Sequence, residues 1–367
     1  MKGIELTAFA SAVALACTAC ASQSNEMLFS DRISYILDFP ETYSLSLPDT
    51  VDLGVPGMFS FDIQDSLIIA SNSDKEGGWT ILTLNGFRPL GQFLKTGNGP
   101  EEFLSVPWAA SCWPVEKDGD ISYFLADMNK RRMFEFRLYE SLDKGTPVLK
   151  LLEDGFPYPC FNMLWLEDST CFYRVLTEDD HQKRLERFFL KDGESTPADM
   201  VECLNSAYLL PSSDFNLLSA DMGYSRDNNR IIEVPIALNY INIYSPDGAS
   251  RKTICIGKKI YTLKWLQGLE RAEVPYTFSQ LQIYDDFFAV MYLGETEWSY
   301  QLGRTEIPHI YCFDYEGNPL ADILVDRQVT GFDFDFAGRW LYVNDLNTES
   351  FWRYDLPEDF PESLIID

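Results

Sequence analysis

The chain has 367 residues, 46% of them hydrophobic and 14% aromatic, which is enough for one large domain or two ordinary domains with a real core. Its 57 acidic side chains outnumber the 29 basic ones, and the formal net charge is −28. This balance argues against a nucleic-acid partner, because binding to phosphates needs clustered Lys and Arg side chains. The acidity is typical of a soluble exported protein, and a surface for calcium or a cationic ligand is the alternative interpretation.

The first residues predict an export signal that does not belong to the fold. The segment MKGIELTAFASAVALACTAC has a Lys near its start, an apolar run from Ala8 to Ala16, and small residues before a cysteine. Its end resembles a bacterial lipobox, in which the last cysteine is lipidated, and we assign that role to Cys20. Modification of Cys17 and a plain signal peptide without a lipid are the alternatives. We therefore predict a signal peptide over residues 1–19, followed by the lipidated cysteine and a tether over residues 20–30.

The rest of the sequence lacks the patterns of a membrane span and of a zinc site. No apolar run of about 18 residues follows the signal, so any attachment to a membrane would be through the lipid. Six cysteines follow Cys20, and none lies in a CxxC or a Cys/His cluster. They fall singly in apolar strands and are predicted to be buried thiols, although Cys160 and Cys171 could meet across one hairpin as a disulfide.

An internal repeat runs through the chain after the tether. An aromatic-rich strand, a turn with Gly, Asp or Asn, and a second strand recur six times, at intervals of about 35 to 70 residues. Two further β-rich runs precede most of these copies, as FSFDIQDS and LIIASN do before the first copy. The copies begin at Trp79, Met133, Arg187, Tyr240, Ile310 and Phe351.

Four-stranded antiparallel units repeated about every 50 residues predict an all-β fold, a six-bladed β-propeller over residues 31–367. One such sheet cannot bury both of its faces, whereas in a ring each sheet covers its neighbour and only short edges remain. The sixth unit ends soon after its third strand, and ISYILDF, Ile33 to Phe39, is a strand without a unit of its own. We therefore expect this N-terminal strand to complete the last blade and close the ring.

The stretch from Lys95 to Phe136 carries the most specific motif. It reads KTGNGPEEFLSVPWAASCWPVEKDGDISYFLADMNKRRMFEF, and it resembles the NHL-type propeller repeat, G-x-G-P-x-x-F-x-x-P, a strand, a Gly turn, and a strand ending in A-D-x-x-N with an Arg. The last unit echoes the second half in VNDLNTESFWRYD, which aligns Asp345 with Asp127 and Asn347 with Asn129. The matching positions are Gly97, Gly99, Pro100, Phe103, Pro107, Asp118, Gly119, Ala126, Asp127, Asn129 and Arg132.

Together the signal, the lipobox, one strong GPxEF loop and six degenerate blades resemble the six-bladed, TolB-like propeller lipoproteins of Gram-negative bacteria, over about residues 30–360. The resemblance implies the propeller fold and a place at the outer membrane, on its periplasmic or cell-surface side. It implies no catalytic residue, because propellers host many unrelated activities.

The motif also predicts a rim of polar side chains on one face of the ring. If strands A to D of each blade run outward from the axis, the D-to-A connections and the B-to-C turns share a face, and the GNGP loop is a D-to-A connection. The loop itself is interpreted as a connector, because a phosphate cradle needs a helix N-terminus and a Lys or Arg, whereas a strand and two Glu follow here. The candidate ligand-binding residues of the rim are Asp127, Asn129, Arg132, Asp345 and Asn347.

Each rim residue also has a structural interpretation. Asp and Asn cap hairpin turns through their own side chains, and Arg132 could pair with Asp127. Trp298 and Tyr300, in the loop-like stretch GETEWSYQLGRTEIPH, are candidates for an exposed patch that binds a sugar or peptide, with packing inside a blade as the alternative.

Few residues could carry catalysis. The sequence contains His181 and His309 and no other histidine, and it has no G-x-S-x-G pattern, which argues against a Ser–His–Asp enzyme. Carboxylate chemistry stays open, because a channel ringed by Asp and Glu could hold calcium, as in six-bladed lactonases. The candidate calcium ligands on predicted inner strands are Asp62, Asp333 and Asp335.

The sequence therefore favours a non-catalytic, lipid-anchored propeller that binds a protein, peptide or glycan at the cell envelope. We expect it to act as a monomer without a cofactor. The alternative is a calcium-dependent hydrolase or lyase, similar to lactonases, with an acidic axial channel.

Overall fold

Six β-sheets surround a common axis, as the repeats predict, and the six-bladed β-propeller is confirmed. The computed structural model describes residues 25–166, 170–302, 306–358, 360 and 364, so the predicted signal peptide and Cys20 lie outside the described residues. Each blade is an antiparallel meander of strands A to D, and the A strands of most neighbouring blades contact one another around the axis.

The strands begin with three short ones that precede the first complete blade. Blades 1 to 3 then follow in sequence order, built from runs rich in aromatic and β-branched residues that end at Gly, Asp or Asn turns. The strands up to the end of blade 1 are β1 (Ile33–Ile36), β2 (Glu41–Ser44), β3 (Asp49–Thr50), β4 (Met58–Gln64), β5 (Leu67–Asn72), β6 (Trp79–Thr83) and β7 (Pro89–Phe93). Blade 2 contains β8 (Pro114–Lys117), β9 (Asp120–Asp127), β10 (Arg132–Arg137) and β11 (Leu149–Asp154), and blade 3 contains β12 (Cys160–Trp165), β13 (Thr170–Glu178), β14 (Lys183–Lys191) and β15 (Glu194–Pro197).

Blades 4 to 6 each gain a strand from the N-terminal segment. Blade 4 contains β16 (Ala220–Ser225), β17 (Arg230–Pro235), β18 (Tyr240–Tyr244) and β19 (Arg251–Ile256), and blade 5 contains β20 (Pro275–Ile283), β21 (Phe287–Thr296), β22 (His309–Asp314) and β23 (Pro319–Leu324). Blade 6 contains β24 (Gly331–Asp335), β25 (Trp340–Asp345) and β26 (Ser350–Asp355).

The ring is closed by an N-terminal strand other than the one predicted. Strand β1 pairs in parallel with β19 of blade 4, and β2 pairs in parallel with β23 of blade 5. The fourth strand of blade 6 is β3, which runs antiparallel to β26 with Thr50 opposite Trp352. The expectation that Ile33–Phe39 completes the last blade is therefore wrong.

Packing explains where the two segments lie. Phe39 stacks on Tyr311 with 4.5 Å between ring centroids, and Ile36 is buried in the same cluster, so these two side chains fill the gap between blades 4 and 5. Strand β3 has only two polar residues, and it is held by backbone pairing and by an ion pair of Asp49 with Arg353 at 3.0 Å. A hydrophobic pattern therefore identified β1 as a strand but could not identify its partner.

The ordered fold also begins before the predicted boundary at residue 31. Met27, Leu28 and Phe29 are buried against blades 3 and 4. The last part of the predicted tether is thus part of the packed body.

Short helices occur in the connections between strands. A helical turn within Lys264–Ala272 is predicted by the sequence, and one helix and one 3₁₀ turn lie there. The α-helices are α1 (Leu138–Lys144), α2 (Glu202–Asn205), α3 (Leu263–Leu266) and α4 (Glu297–Leu302), and the 3₁₀ helices are Ala109–Ser111, Asp199–Val201, Phe215–Leu218 and Arg271–Glu273. Within the described part of the chain, no helix is long and apolar enough to cross a membrane.

The core lies between the blades. Trp79 of blade 1 meets Tyr123 of blade 2 edge to face, with centroids 5.2 Å apart, and Phe61 of blade 1 meets Phe351 of blade 6 in the same way at 4.8 Å. Each sheet thus hides its face on its neighbour, which is the reason that these sheets form a ring.

The six cysteines of the body are all free thiols. Five are buried and Cys203 is partly exposed. The possible disulfide between Cys160 and Cys171 is absent, and the Cys171 sulfur instead lies 3.5 Å from that of Met133. Burial raises the pKa of Cys171 to about 12, which makes it an inert thiol.

Candidate functional site

A segment between blades 1 and 2 enters the axial channel. The 3₁₀ helix Ala109–Ser111 contacts β4 of blade 1 and also β20 of blade 5, across the axis. Ala109 N donates to Ser71 Oγ at 2.8 Å, and the Trp113 indole N–H donates to Met222 O of blade 4 at 3.1 Å. We call Pro107–Trp113 the axial plug, because it bonds to blades on both sides of the channel and divides the space there into two cavities.

The larger cavity, of about 600 Å³, opens on the face that carries the A-to-B turns. We call it the acidic cavity. Its walls are aromatic, and Phe124 of blade 2 stacks on Trp165 of blade 3 with centroids 5.0 Å apart and an angle of 9° between the rings. The aromatic wall residues are Trp113, Phe124, Trp165, Tyr224 and Tyr284.

Charged side chains from four blades surround the mouth of the acidic cavity. Four exposed carboxylates lie there, together with one cation, Arg226, whose Nε is buried and has no hydrogen-bond partner among the described residues. Because these carboxylates surround a concave opening, their fields add at the mouth and attract positive charge. The carboxylates belong to Asp65 of blade 1, Glu116 of blade 2, Asp227 of blade 4 and Asp285 of blade 5.

The smaller cavity, of about 290 Å³, lies on the other side of the plug, toward the predicted rim. Its lining is largely apolar, with Trp108 at its edge and Met128 and Met222 inside. Asp221 also lines it, and burial raises the pKa of that carboxyl group. The space is about half that of the acidic cavity, and the rim residues predicted by the motif do not line it.

Asp127, the central residue of the predicted rim, is fully buried and holds two loops together. One carboxylate oxygen accepts from Leu104 N of the GNGP loop at 2.8 Å. The other accepts from Asn129 N at 3.1 Å and Lys130 N at 3.0 Å. The Lys130 ammonium also donates to Gly99 O at 2.8 Å. The loop is thus fastened to its neighbouring turn, which agrees with its interpretation as a connector.

The equivalent turn of blade 6 repeats this arrangement in part. Asp345 is buried and accepts from Asn347 N at 3.2 Å and from Thr348 Oγ1 at 2.8 Å. Arg132 does not pair with Asp127 but with Asp154, at 3.2 Å. Among the predicted rim residues, Asn129 and Asn347 are exposed. The carboxylates of Asp127 and Asp345 accept hydrogen bonds from residues of their own turns.

The predicted calcium ligands lie on inner strands, and two of them form a buried pair of acids. Asp62 of blade 1 accepts a hydrogen bond from Tyr123 at 2.8 Å. Asp333 of blade 6 accepts from Tyr284 at 2.8 Å and from Ile63 N at 2.6 Å. Burial raises the pKa of Asp333 to about 7. Burial and the charge of Asp333 also raise the pKa of Asp62 well above its usual range.

Asp335 does not join this pair, which we call the acid pair. Its carboxylate accepts from Gly338 N at 2.8 Å, within its own A-to-B turn. Among the described residues, no group of three or more His, Cys, Asp or Glu side chains is arranged to hold a metal ion. The three candidates are therefore not brought together around one ion.

Trp298 and Tyr300 lie in α4, on the same face as the rim. Trp298 is 56% exposed, whereas Tyr300 packs on Tyr276 with centroids 4.5 Å apart. Tyr300 also lines a groove of about 550 Å³ between blades 4 and 5, which Trp298 does not line. The pair therefore does not form one aromatic patch.

A buried ionic network between blades 3 and 4 has no counterpart among the residues predicted from the sequence. Arg187 donates through Nε to Glu233 Oε2 at 3.0 Å, and Arg174 through Nη1 to Glu233 Oε1 at 3.3 Å. The Tyr244 hydroxyl donates to the same carboxylate at 2.9 Å. Burial alone would raise the pKa of Glu233, but the two guanidinium charges and these hydrogen bonds lower it to about 2.

The acidic cavity was also missed, because its residues come from separate repeats. One signal was available: the A-to-B turns carry acidic residues in blade after blade, as in IQDS, YSRDNN and IYDD. The sequence does not show that the aromatic residues before these turns point to the axis.

Comparison with known proteins supports the propeller fold. No protein-family model matches the chain, and no curated protein matches it. Among solved structures, a member of the duf4221 family from Bacteroides vulgatus is similar, with a TM-score of 0.52 and 10% identity over 88% of this chain and 95% of that chain.

Two further solved structures are similar at lower TM-scores. A "Putative exported protein" from Bacteroides fragilis has a TM-score of 0.49 and 8% identity, over 88% of this chain and 99% of that chain. The calcium-binding protein regucalcin from Agrobacterium tumefaciens has a TM-score of 0.42 and 10% identity, over 86% and 97%. At such identities the likeness concerns the fold alone, since one propeller fold carries many activities.

Proposed function

We propose that this chain is a non-catalytic binding propeller of the cell envelope, and that its acidic cavity receives a positively charged segment of a peptide or protein. The observation that carries this proposal is the position of four exposed carboxylates around one aromatic-walled cavity of about 600 Å³. A volume in this range is typical of ligand sites.

The chemistry of the cavity favours a cationic group. Carboxylates attract an ammonium or guanidinium group, and aromatic faces such as those of Trp165 and Phe124 stabilise a cation through their π electrons. An anion such as phosphate would be repelled by a mouth that has four carboxylates and one guanidinium group.

Arg226 adds a donor that suits the rest of a peptide. Its Nε has no partner among the described residues, and the residue lines the cavity. The Nε atom is itself buried, but a guanidinium group has further N–H donors. A ligand carbonyl that accepts a hydrogen bond from one of them would add stability to the complex. A basic side chain next to a backbone carbonyl therefore fits the site better than a simple amine.

The location remains a proposal based on the sequence. We propose that residues 1–19 direct export and that Cys20 then carries a lipid. The protein would be an outer-membrane lipoprotein that resembles TolB-like and NHL-like propellers. It would act as a monomer on the periplasmic or cell-surface side of that membrane. The sequence alone leaves a protein, peptide or glycan partner open, and the acidic cavity narrows the proposal to a basic segment of a peptide or protein.

Calorimetric titration with the capped tetrapeptide Ala-Lys-Arg-Ala tests the proposal. We expect binding that weakens as salt rises, and that weakens by about tenfold in the double variant Asp65→Asn with Asp285→Asn, since both carboxylates surround the cavity. The same peptide with citrulline and acetyl-lysine in place of its two basic residues should not bind.

The matched control is Asp118→Asn with Asp286→Asn. It removes two exposed carboxylates from A-to-B turns on the same face, but neither residue lines the cavity. If both double variants lost the same affinity, the acidic surface as a whole and not the cavity would attract the peptide, and the proposal would be contradicted. Binding of a neutral oligosaccharide in place of the basic peptide would also contradict the proposal.

The alternative enzyme, a calcium-dependent hydrolase or lyase, would need several oxygen ligands on one ion. Among the described residues, no group of three or more His, Cys, Asp or Glu side chains is arranged to hold a metal ion. The candidates Asp62 and Asp333 instead accept hydrogen bonds, Asp62 from a tyrosine and Asp333 from a tyrosine and a backbone amide. No observation on the described residues favours this function over binding.

A further inference from the structure

The described chain begins on the face opposite the acidic cavity. Asn25 Nδ2 donates to Tyr208 O at 3.0 Å, and Tyr208 N donates to Asn25 Oδ1 at 2.7 Å. Glu26 Oε2 accepts from Leu263 N at 2.8 Å. Tyr208 and Leu263 belong to the D-to-A connections after blades 3 and 4, and these connections lie at the opposite end of the blades from the A-to-B turns.

This position limits where a lipid on Cys20 can be. Cys20 precedes Asn25 by five residues, and an extended chain spans at most about 3.6 Å per residue, so the two lie within about 18 Å of each other. A lipid on Cys20 therefore brings the bilayer surface close to this end of the ring.

Exposed apolar side chains surround the point where the chain begins. Leu210 is 53% exposed, Trp265 41% and Tyr208 36%. Leu210 N donates to Gln267 Oε1 at 2.8 Å, which joins the two connections, and Tyr261 packs on Trp265 with centroids 4.7 Å apart. Aromatic residues with a polar edge are typical of the interface between membrane and water.

The connection between blades 4 and 5, which contains α3, has a net charge opposite to that of the whole chain. Residues 257–274 contain four basic and two acidic side chains, whereas the whole chain has 29 basic and 57 acidic ones. Lys258, Lys259 and Lys264 are exposed, and Asn239 Nδ2 holds the Lys259 carbonyl at 2.8 Å, which positions this lysine segment beside α3. Basic side chains near an anionic leaflet add to its attraction for the protein.

We propose that this surface docks on the bilayer that holds the lipid on Cys20. We call it the anchor-side face, and it consists of Tyr208, Leu210, Tyr261 and Trp265 with Lys258, Lys259 and Lys264. The proposal rests on the lipid anchor of the proposed function. The ring then lies with its B-to-C turns toward the membrane, and the acidic cavity opens away from it, where a partner can reach it.

Hydrogen–deuterium exchange on the lipidated full chain tests this orientation. The protein is compared in detergent micelles and in vesicles of phosphatidylethanolamine with phosphatidylglycerol. We expect backbone amides of residues 206–217 and 257–269 to exchange more slowly in vesicles by about threefold or more, and amides of the A-to-B turns to be unchanged. The triple variant Lys258→Glu, Lys259→Glu, Lys264→Glu should lose this protection.

The matched control is Arg88→Glu, Lys144→Glu, Lys191→Glu, three exposed cations on the other face, two in C-to-D connections and one at the end of β14 next to such a connection. This control should keep the protection at the anchor-side face. Equal exchange in vesicles and micelles, protection at the A-to-B turns, or a mass without acyl chains on Cys20 would overturn the orientation.

Binding of Ala-Lys-Arg-Ala to the same samples separates this inference from the proposed function. The Lys258, Lys259, Lys264 variant should keep its affinity for the peptide, because none of these lysines lines the acidic cavity. If this variant loses protection from exchange on vesicles but still binds the peptide, the result supports the proposed orientation and leaves the proposed function unaffected.

Discussion

Two clusters of buried ionisable side chains lie between blades on different sides of the ring. They differ in whether a buried carboxyl group has a positively charged neighbour. Between blades 3 and 4, Glu233 is fully buried against two buried guanidinium groups, Arg174 and Arg187. Between blades 6 and 1, the acid pair Asp333 and Asp62 is also buried, but its hydrogen-bond partners are tyrosines and backbone amides. The negative charge of the first cluster is balanced by two guanidinium groups, whereas the second cluster has no such balancing charge.

The comparison shows that burial alone does not decide the charge state of an acid. Both sites lose solvation, which raises the pKa of a carboxyl group. In the network the arginines reverse this effect and the pKa of Glu233 falls to about 2, whereas in the acid pair the pKa of Asp333 rises to about 7. At neutral pH the folded state therefore favours the ionised form of Glu233, whereas in the acid pair it favours a protonated carboxyl group.

The largest effect is expected from breaking the ionic network. Glu233→Gln leaves two buried guanidinium groups without a counter-charge, and we expect a loss of about 3–5 kcal/mol in the free energy of unfolding. Chemical denaturation at pH 7 measures it. Glu135→Gln is the matched control, because Glu135 is buried on a middle strand too but pairs with the partly exposed Lys117, so its loss should be clearly smaller. Equal losses would contradict the comparison.

Removing one acid of the pair should have the opposite sign. On folding at neutral pH, Asp62 must take up a proton or repel Asp333, and Asn avoids both while its side-chain oxygen still accepts from Tyr123. We expect Asp62→Asn to stabilise the protein at pH 8 by about 1–3 kcal/mol, since it removes a buried carboxyl group that the folded state must protonate or leave without a counter-charge. Asp335→Asn, two residues beyond Asp333 on the same strand, should give a clearly smaller gain in denaturation experiments, because the charge of Asp335 is the last and smallest cause of the raised pKa of Asp333.

The two clusters should also respond to pH in opposite directions. The pKa of Asp333 is raised from 3.8 to about 7, so the folded state binds this proton more tightly than the unfolded state does. The resulting contribution to the free energy of unfolding is present below pH 3.8 and is lost as pH rises to about 7. The pKa of Glu233 is lowered from 4.5 to about 2, so its contribution is present above pH 4.5 and is lost as pH falls toward 2. The gain of Asp62→Asn should therefore shrink at pH 4, as measured by thermal unfolding at each pH, whereas a gain independent of pH would refute this account.

The smallest effect concerns calcium at the acid pair. If Asp62 and Asp333 served a calcium ion, added calcium would raise the melting temperature of the natural protein and not that of Asp62→Asn. We expect no difference between the two, because each carboxylate is already engaged with a tyrosine. A calcium-dependent rise that disappears in the variant would favour the enzyme instead.

The repeats predicted the blades well because each blade is a local structure. Runs such as LIIASN and FFAVMYLG have the β propensity and the flanking turns that define a strand, and adjacent strands pair through short connections. The buried cysteines and the short helix near Trp265 follow from the same local patterns.

The candidate site was harder to predict because it depends on contacts between distant residues. Asp127 and Asp345 were predicted as ligand residues from a motif, yet both carboxylates satisfy the amides or hydroxyls of their own turns. The acidic cavity takes Asp65, Glu116, Asp227 and Asp285 from four repeats, and no local pattern joins them.

The sequence by itself determined the number of blades, the strands within them and the acidic character of the chain, because propensity, turns and charge belong to short segments. Only the tertiary structure decided that β3 rather than β1 closes the ring, that the axial plug reaches across the channel to bond with blade 4, and which buried acids have a counter-charge. These features depend on which distant segments meet around the axis. Packing between blades determines these contacts, and the sequence of a single strand does not indicate which distant strand will lie beside it.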